Sequence, residues 1–299
     1  MSTSIYLSSQ DVTAVSGSIG KRGVEITGYA TAPLPEGAMI NGVITDERPL
    51  LSALADLTKQ GRLGGKDLRL VIDSSSILTR VETVPKLGRA QLLALTRNTF
   101  ADSATGREDL LYDYAQLPDT ADGRQQVLCS AVERQLVGSY VSLFGAAGLA
   151  LSAIGIALDG VIQLLDILPQ LHQKHYILCM VDGNVLITAL FLAGSYRMSN
   201  RQRLLGARGT AACRAEMAQS VSSMVQFASA QKTGFSPDTV YFSGLRPEEQ
   251  TVCGEINAAL SLRAEPLPTT QAFSVQKTDP RKPYAVSDYL FATSGLGEK

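Results

Sequence analysis

The chain has 299 residues, of which 45% are hydrophobic and 18% are charged, and its 27 Lys and Arg residues nearly balance its 28 Asp and Glu residues. A chain of this length buries a large core and is expected to divide into two domains. The near-neutral charge argues against a nucleic-acid-binding protein, because phosphate binding requires a concentrated basic face.

The first 73 residues predict three short strands, then a helix and a fourth strand. The strands are expected at residues 5–7, 12–16 and 24–30, the helix at 50–59 and the last strand at Leu68–Ile72. Segment 32–46 contains two prolines, which prevent a helix, and two glycines, which allow tight turns, so it predicts a loop. Asp46 is placed to cap the helix that follows this loop.

From residue 74 the pattern changes to that of a smaller subdomain. The predicted elements are a strand at 77–84, a helix at 87–100, strands at 111–117 and 125–131, a helix at 133–146 and a strand at 149–157. This β-α-β-β-α-β order is that of a ferredoxin-like subdomain. The polar segment 119–124 predicts the hairpin turn between its middle strands. We therefore expect an insert at about 74–157.

The second half of the chain repeats the opening pattern. Two apolar runs, 177–181 and 185–192, flank Asp182-Gly183-Asn184 and predict a β-hairpin. A third strand is expected at 194–201, and a helix within 208–230. The repeated order predicts two similar lobes, each with a sheet and covering helices. The predicted boundaries are 1–170 for the first lobe, with its core at 1–73 and 158–170, and 171–299 for the second lobe.

The uncharged stretch 141–158 meets the lower length limit of a membrane-spanning helix. Its glycines and serines instead favour a helix that ends near Gly148, followed by a strand. The polar start of the chain, Met1 to Ser4, precedes an apolar run that is too short for a signal peptide. We therefore expect neither a signal peptide nor a membrane span.

Side chains that bind metals or act as nucleophiles form no known motif. The four cysteines lie far apart and form no CxxC pair, so reduced and buried thiols are favoured over a disulfide or a metal site. His172 and His175 lack a matching set of ligands. Because the chain has no GxSxG motif, a Ser-His-Asp hydrolase is also unsupported.

Six segments in the same order along residues 4–296 carry a resemblance to a known family. They are PLPEGAMINGVITD, SILTRVETVPK, DYAQLP, VLCSAVERQLVGSYVSLFGAAGL, YFSG and YAVSDYL. Together they resemble the PilM family, the actin-like proteins of type IV pilus assembly, and more distantly the cell-division protein FtsA. The resemblance implies an α/β, actin-like (RNase H-like) two-lobe fold with a ferredoxin-like insert in the first lobe and a nucleotide cleft between the lobes.

The residues at the first phosphate-binding hairpin depart from the family pattern. The family has Asp-x-Gly-Ser-Ser where this chain has Tyr6-Leu7-Ser8-Ser9-Gln10. Tyr6 thus replaces the carboxylate on the metal side, and Ser8 replaces the glycine that approaches phosphate closely. A phenol does not organise a magnesium shell, and a Cβ obstructs the approach of the backbone to phosphate.

The other elements of the cleft are also altered. The second hairpin keeps Asp182 and Gly183, but the Gly-x-x-x-Thr-Thr continuation of the family is shortened. The family's Ser-Gly-Gly turn reads Ser243-Gly244-Leu245, and the strand between the lobes has no acid before Asp159. By the resemblance, the degenerate nucleotide site, if any nucleotide binds, consists of Ser8, Ser9, Gln10, Asp182, Gly183, Asn184, Ser243 and Gly244. We expect ATP binding to be weak or absent, no metal site and no hydrolysis.

The residues themselves favour simpler roles for these segments. Asp182 is expected first as a turn residue of a type I′ hairpin, and the serine segments 8–10 and 74–76 are expected first as turns. The segment 206–209 is expected as an ordinary loop into the next helix rather than an anion site.

The resemblance implies that binding carries the function. PilM-like proteins form a cytoplasmic platform at the inner face of the cytoplasmic membrane, together with other inner-membrane pilus components. They take up the N-terminal tail of a PilN-like membrane protein between the first-lobe core and the insert. An extended apolar tail needs a preformed groove, for which we expect Ile77, Leu78, Val81, Val84, Leu92, Leu93 and Leu95. For any one of these residues, a place in the insert core is the simpler explanation.

Three functions stay open. The first is a non-catalytic adaptor of pilus assembly, or of a type II secretion platform of the GspL kind. The second is a working actin-like ATPase, which tight magnesium-ATP binding would favour. The third is an FtsA-like filament, which ATP-dependent polymers would favour. The oligomeric state is also left open.

Overall fold

The computed structural model describes residues 1–20, 23–63, 67–102, 109–120, 122–230, 235–276 and 282–297. Its strands, in chain order, are β1 (Ser2–Leu7), β2 (Asp11–Gly20), β3 (Gly23–Pro33), β4 (Met39–Ile40), β5 (Val43–Ile44), β6 (Leu68–Ile72), β7 (Leu78–Val84), β8 (Leu110–Leu117), β9 (Gln125–Glu133), β10 (Ala153–Ile156), β11 (Tyr176–Asp182), β12 (Val185–Leu192), β13 (Ser195–Arg203), β14 (Thr239–Ser243), β15 (Arg263–Pro266) and β16 (Phe273–Val275). Its helices are α1 (Glu47–Lys59), α2 (Arg89–Thr99), α3 (Arg134–Ala146), α4 (Ala157–Asp166), α5 (Ala211–Ala230), α6 (Thr251–Leu260) and α7 (Val286–Ser294). Short 3-10 helices lie at Pro169–Leu171, Pro247–Glu249 and Gly295–Gly297.

The first lobe is built on a sheet with the strand order β10-β6-β1-β2-β3-β16. β1, β2 and β3 form an antiparallel meander, whereas β6, β10 and β16 join it in parallel. Because side chains alternate along a strand, Ile5 and Leu7 pack in the core formed with α1 and α3, whereas Tyr6 packs on the other face. β1 therefore contributes to both a buried core and the cleft.

Local signals explain how α1 forms and packs. Asp46 accepts a hydrogen bond from the backbone N–H of Arg48, which confirms the predicted N-cap. Leu50, Leu54 and Leu57 recur at helical spacing and are buried in the first-lobe core. Burial of each leucine stabilises the fold by about 1.5–3 kcal/mol.

The second lobe has a sheet with the strand order β13-β12-β11-β14-β15. β11, β12 and β13 again form an antiparallel meander, and β14 and β15 join it in parallel. α5 and α6 cover one face, with Met217, Val221 and Ile256 buried there. The other face shares one continuous core with α4, α7 and the inner face of the first sheet. The predicted two-lobe α/β fold is therefore confirmed.

The insert of the first lobe is smaller than expected. β7, β9 and β8 form a separate sheet, and α2 packs against one of its faces. α3 instead packs in the first-lobe core, and β10 pairs in parallel with β6. The prediction that a strand at 149–157 completes the insert is therefore wrong, because this strand belongs to the first-lobe sheet. Of the predicted turn 119–124, residue 121 lies outside the described residues.

The last part of the chain returns to the first lobe. β16 pairs in parallel with β3, and α7 contacts β1 and β2. The prediction that the whole of 171–299 forms the second lobe is therefore wrong for the described residues 273–276 and 282–297. α7 also contacts β14, so it lies at the boundary between the two lobes.

The predicted end of the helix at Gly148 is confirmed. α3 ends at Ala146, and Gly148 follows it with a positive φ of 71°. In the described ranges, no helix is both long enough and apolar enough to cross a membrane. None of the four cysteines, all of which lie within those ranges, forms a disulfide, and Cys129, Cys179 and Cys213 are buried.

Candidate functional site between the lobes

The turn between β1 and β2 is closed by a serine hydroxyl. The Ser8 backbone N–H donates to the carbonyl of Asp11 at 2.8 Å. The Ser8 Oγ accepts hydrogen bonds from the backbone N–H groups of Gln10 and Asp11 at 3.0 and 2.9 Å. The segment is therefore a turn that satisfies its own backbone, as predicted.

The turn between β11 and β12 lies directly against the first turn. Asp182 pairs with Val185, so Gly183 and Asn184 form the loop, and of these two only Gly183 has a positive φ, at 54°. The predicted type I′ turn is therefore wrong, since that turn needs a positive φ at both positions, and a glycine in first position is typical of type II′. A Cβ on Gly183 would lie 2.0 Å from the Ser9 Oγ, so the two turns are in contact.

Tyr6 and Asp182 meet across the cleft between the lobes. The Tyr6 hydroxyl donates a hydrogen bond to Asp182 Oδ2 at 2.6 Å, which is the length of a charge-assisted O–H···O⁻ bond. The buried Tyr6 ring also packs against Phe291 of α7, with ring centroids 4.6 Å apart. The phenol thus fills the space beside the second turn and engages its carboxylate.

Burial determines the protonation of this pair. It raises the pKa of Asp182 to about 7, and the nearby carboxylates of Asp73 and Asp11 add to the rise, whereas the Tyr6 hydroxyl and Arg201 oppose it. Burial, followed by the Asp182 charge, raises the pKa of Tyr6 well above its ordinary value. Tyr6 is therefore a neutral donor near pH 7, where Asp182 titrates.

An arginine of the second lobe reaches the first lobe at one side of the cleft. Arg201 on β13 donates to Asp73, which follows β6, and to Asn41 Oδ1 at 3.2 Å. Both side chains of the Arg201–Asp73 ion pair are mostly buried. Asn41 in turn accepts a hydrogen bond from the Ser75 backbone N–H at 3.1 Å. At the other side of the cleft, Arg246 donates to Gln10 Oε1 at 3.0 Å.

A buried ion pair occupies the loop that enters α5. The side chains of Arg208 and Glu249 are 7% and 0% exposed, and two guanidinium nitrogens donate to the two carboxylate oxygens. The Gly209 N–H donates to the same carboxylate at 2.8 Å, so Glu249 takes the place of an external anion. Arg208 also donates to the carbonyls of Gly183 and Gly244. This segment is thus a structural loop, as predicted.

Burial alone would raise the pKa of Glu249, but the hydrogen bonds from Arg208 hold that pKa below its ordinary value. Sequence reasoning missed this pair, because Arg208 and Glu249 lie in separate polar segments and match no motif.

The turn after β14 is bound to the start of α7. The Ser243 Oγ and the Gly244 N–H both donate to the carbonyl of Ser287, at 2.7 and 2.9 Å. Gly244 has a φ of 78°, and a Cβ there would lie 2.0 Å from the carbonyl oxygen of Val181. Glycine is therefore required at this position by its close packing against β11.

Most of the residues predicted for the nucleotide site line one cavity. Its volume is about 220 Å³, below the range of roughly 300–1,000 Å³ that is typical of ligand pockets. The predicted residues that line it are Ser8, Gln10, Asp182, Gly183, Ser243 and Gly244. Ser9 lies beside Gly183, whereas Asn184 accepts a hydrogen bond from Leu204 and is not part of the lining. In the part of the chain that the structure describes, no group of three or more His, Cys, Asp or Glu residues could hold a metal ion.

The residues predicted for the tail groove do not share one surface. Leu78, Val84, Leu92 and Leu95 belong to the core between α2 and the insert sheet. Val81 lies on the opposite face of β7 and packs against the core that α4 and α7 share. Ile77 packs against the first-lobe core, and Leu93 is half-buried on α2.

Comparisons with known proteins identify the fold. No protein-family model matches the sequence, and no curated protein matches it. Among solved structures, a chain of the PilM-PilN type IV pilus biogenesis complex is similar over 100% of this chain and 99% of that chain, with a TM-score of 0.80 and 15% identity. The cytoplasmic domain of EpsL, an inner-membrane component of the type II secretion system of Vibrio cholerae, is similar over 99% of this chain and 95% of that chain. Its TM-score is 0.51 and its identity is 12%.

A Bacteroides thetaiotaomicron protein with an actin-like ATPase fold and unknown function is also similar, over 88% of this chain and 89% of that chain. Its TM-score is 0.51 and its identity is 11%. Identities this low establish the fold alone. The chain therefore has the two-lobe, actin-like fold that the resemblance to PilM implied, with the cavity described above between its lobes.

Proposed function

We propose that this chain is a non-catalytic, actin-like adaptor of type IV pilus assembly that binds the N-terminal cytoplasmic tail of a PilN-like membrane protein. The full-length similarity to a chain of the PilM-PilN complex supports the pilus role. The adaptor would work in the cytoplasm, at the inner face of the cytoplasmic membrane, beside other inner-membrane pilus components. The observation that carries the non-catalytic part is the contact of Tyr6 with Asp182.

Magnesium requires oxygen ligands in a near-octahedral arrangement that leaves room for water and phosphate. In this cleft the Asp182 carboxylate faces a phenol, and the two turns that would cradle phosphate touch each other through Ser9 and Gly183. These residues do not fit a magnesium triphosphate. We therefore infer that this chain does not hydrolyse ATP.

An exposed apolar surface at the border of the first-lobe core and the insert supports the docking role. Ile40 and Val43, in the β4–β5 hairpin, are 60% and 47% exposed, and Val141, on the helix α3 that contacts β5, is 52% exposed. We name these three residues the hairpin patch. Asn41 links the hairpin to Ser75, just before the insert. We place the apolar tail across this patch, because most of the residues first predicted for the groove fill cores instead.

Binding of a synthetic tail peptide tests the docking role. The peptide has the sequence of the N-terminal cytoplasmic tail of a PilN-like protein with a single membrane span. Ile40→Asp is expected to weaken binding at least tenfold, because it places a charge in an apolar contact. Leu205→Asp is the matched control, since Leu205 is 85% exposed on the second lobe. Equal binding by both variants would remove the placement, and no binding by the wild type would remove the adaptor role.

Calorimetry with magnesium and ATP tests the non-catalytic role separately. We expect no heat of binding above that of dilution. Tight binding would instead favour the working ATPase, and ATP-dependent polymers under the electron microscope would favour the filament.

An alternative adaptor role, in a platform of type II secretion, is supported by the similarity to the EpsL domain. That similarity has a TM-score of 0.51, against 0.80 for the chain of the pilus complex.

A further inference from the structure

Among the described residues, three side chains of the second lobe form hydrogen bonds with the first lobe across the opening of the cleft, and they lie on or after different strands. Arg201 on β13 binds Asp73 after β6, Asp182 at the end of β11 binds Tyr6 on β1, and Arg246 after β14 binds Gln10 in the β1–β2 turn. In the second sheet the order of these strands is β13-β12-β11-β14. The contacts therefore span three strand spacings of roughly 4.8 Å each.

This spread matters for how the lobes move. A single contact leaves the lobes free to rotate about it, whereas contacts at both sides and in the middle of the cleft oppose rotation. The lobes are also joined at the floor of the cavity by α7, which contacts strands of both sheets. Opening of the cleft would therefore break all three contacts.

We propose that these three contacts form a latch that keeps the two lobes closed through the protein's own side chains, without a nucleotide. In actin-like nucleotide sites the phosphates lie between the two hairpin turns and bridge them. Here the turns are bridged directly by Tyr6 and by the packing of Ser9 on Gly183. The latch consists of contacts between the lobes, so it holds whether or not the chain binds a tail.

The latch is also connected to the hairpin patch, through the contact of Arg201 with Asn41. Arg201 contacts both Asp73 and Asn41, and Asn41 lies directly after Ile40 in the turn between β4 and β5. Release of Arg201 removes one of the partners that hold Asn41 in its left-handed conformation, with a φ of 51°. Opening of the lobes should therefore loosen this hairpin.

The distance between spin labels on the two lobes tests the latch. Asp56 on α1 and Ser223 on α5 are exposed sites for labelled cysteines, in a Cys253→Ser background. For the full chain without nucleotide we expect one narrow distance distribution that magnesium and ATP do not change. Tyr6→Phe combined with Arg201→Gln removes two of the contacts and should broaden the distribution towards longer distances.

Tyr196→Phe combined with Arg263→Gln is the matched control. These changes remove a tyrosine hydrogen bond to Ser199 and an ion pair to Glu265, both within the second lobe. The control should keep the narrow distribution. Hydrogen exchange at residues 39–44 should be faster in the latch variant than in the control. A narrow distribution in the latch variant would overturn the latch, and so would a broad wild-type distribution that narrows with ATP.

Discussion

Two carboxyl groups lie close to the same turn of the second lobe, and their partners give them opposite properties. Glu249 is held by the guanidinium of Arg208, which keeps its pKa low, so it stays ionised and fully paired. Asp182 receives its hydrogen bond from the neutral Tyr6, and burial raises its pKa to about 7. Glu249 is therefore a fixed structural anion, whereas the charge of Asp182 changes near neutral pH.

The largest expected effect comes from breaking the fixed pair. Glu249→Gln leaves the buried Arg208 charge without its anion, and we expect a loss of about 3–5 kcal/mol in the free energy of unfolding. Glu265→Gln is the control, because it breaks an exposed pair with Arg263 and should cost about 0–1 kcal/mol. Urea denaturation measures both. Equal losses would mean that Glu249 does not hold the loop to the turn.

Removal of the Tyr6 hydroxyl, the neutral partner of Asp182, is expected to cost less of the free energy of unfolding. Tyr6→Phe keeps the ring that packs on Phe291 and removes only the hydroxyl. A hydrogen bond to a charged group contributes about 1.5–3 kcal/mol, and we expect a loss of that size in urea denaturation at pH 8. Tyr196→Phe serves as control, because it removes a bond between neutral hydroxyls. A larger loss in the control would show that the Tyr6 hydroxyl stabilises the fold no more than a hydrogen bond between neutral groups does.

Because the pKa of Asp182 is raised in the fold, its contribution to stability depends on pH with a definite sign. The folded protein holds this proton more tightly than the unfolded chain, so the free energy of unfolding falls as pH rises from about 4 to 7. Asp159, whose pKa burial raises to about 6, acts in the same direction. We expect Asp182→Asn to remove a slope of about 1.4 kcal/mol per pH unit over this range. Urea denaturation at several pH values measures it, and an unchanged slope would contradict the assignment.

The stability that Glu249 provides changes with pH in the opposite direction to that of Asp182, so the two contributions can be measured separately. Its folded pKa is lowered, so the stability that it provides is lost as pH falls below the ordinary range of a glutamate, near 4. The Glu249→Gln variant should therefore lose less stability on acidification than the wild type does. An identical acid transition in both would contradict this.

The parts of the fold that the sequence predicted depend on local signals. The cap at Asp46, the helix at 50–59 and the stop at Gly148 involve residues a few positions apart, and all three are confirmed. The partner of β10 and the return of β16 to β3 depend on pairings between distant segments, which periodicity does not specify. This is why the insert and the second lobe were both predicted too large.

The candidate site shows the same division. The resemblance aligned Tyr6 with the family's metal-side carboxylate and kept Asp182, so both positions were found although 176 residues separate them. Arg201 belongs to none of the six segments that carry the resemblance, yet it forms an ion pair with Asp73 across the cleft. Arg208 and Glu249 carried no signal as a pair, because a buried ion pair depends on tertiary packing and not on sequence spacing.

The smallest effect is expected where the two turns touch. Gly183→Ala places a side chain at a φ of 54° and its Cβ close to the Ser9 Oγ. The Ser9 hydroxyl can rotate away, so the backbone strain dominates, and we expect a loss of about 1 kcal/mol in the free energy of unfolding. The double variant with Ser9→Ala should recover only the small part of this loss that comes from the contact of the new Cβ with the Ser9 hydroxyl. If it instead recovered the whole loss, the side-chain contact and not the backbone would set the cost, and the turns would be pressed together more tightly than the Tyr6–Asp182 bond alone requires.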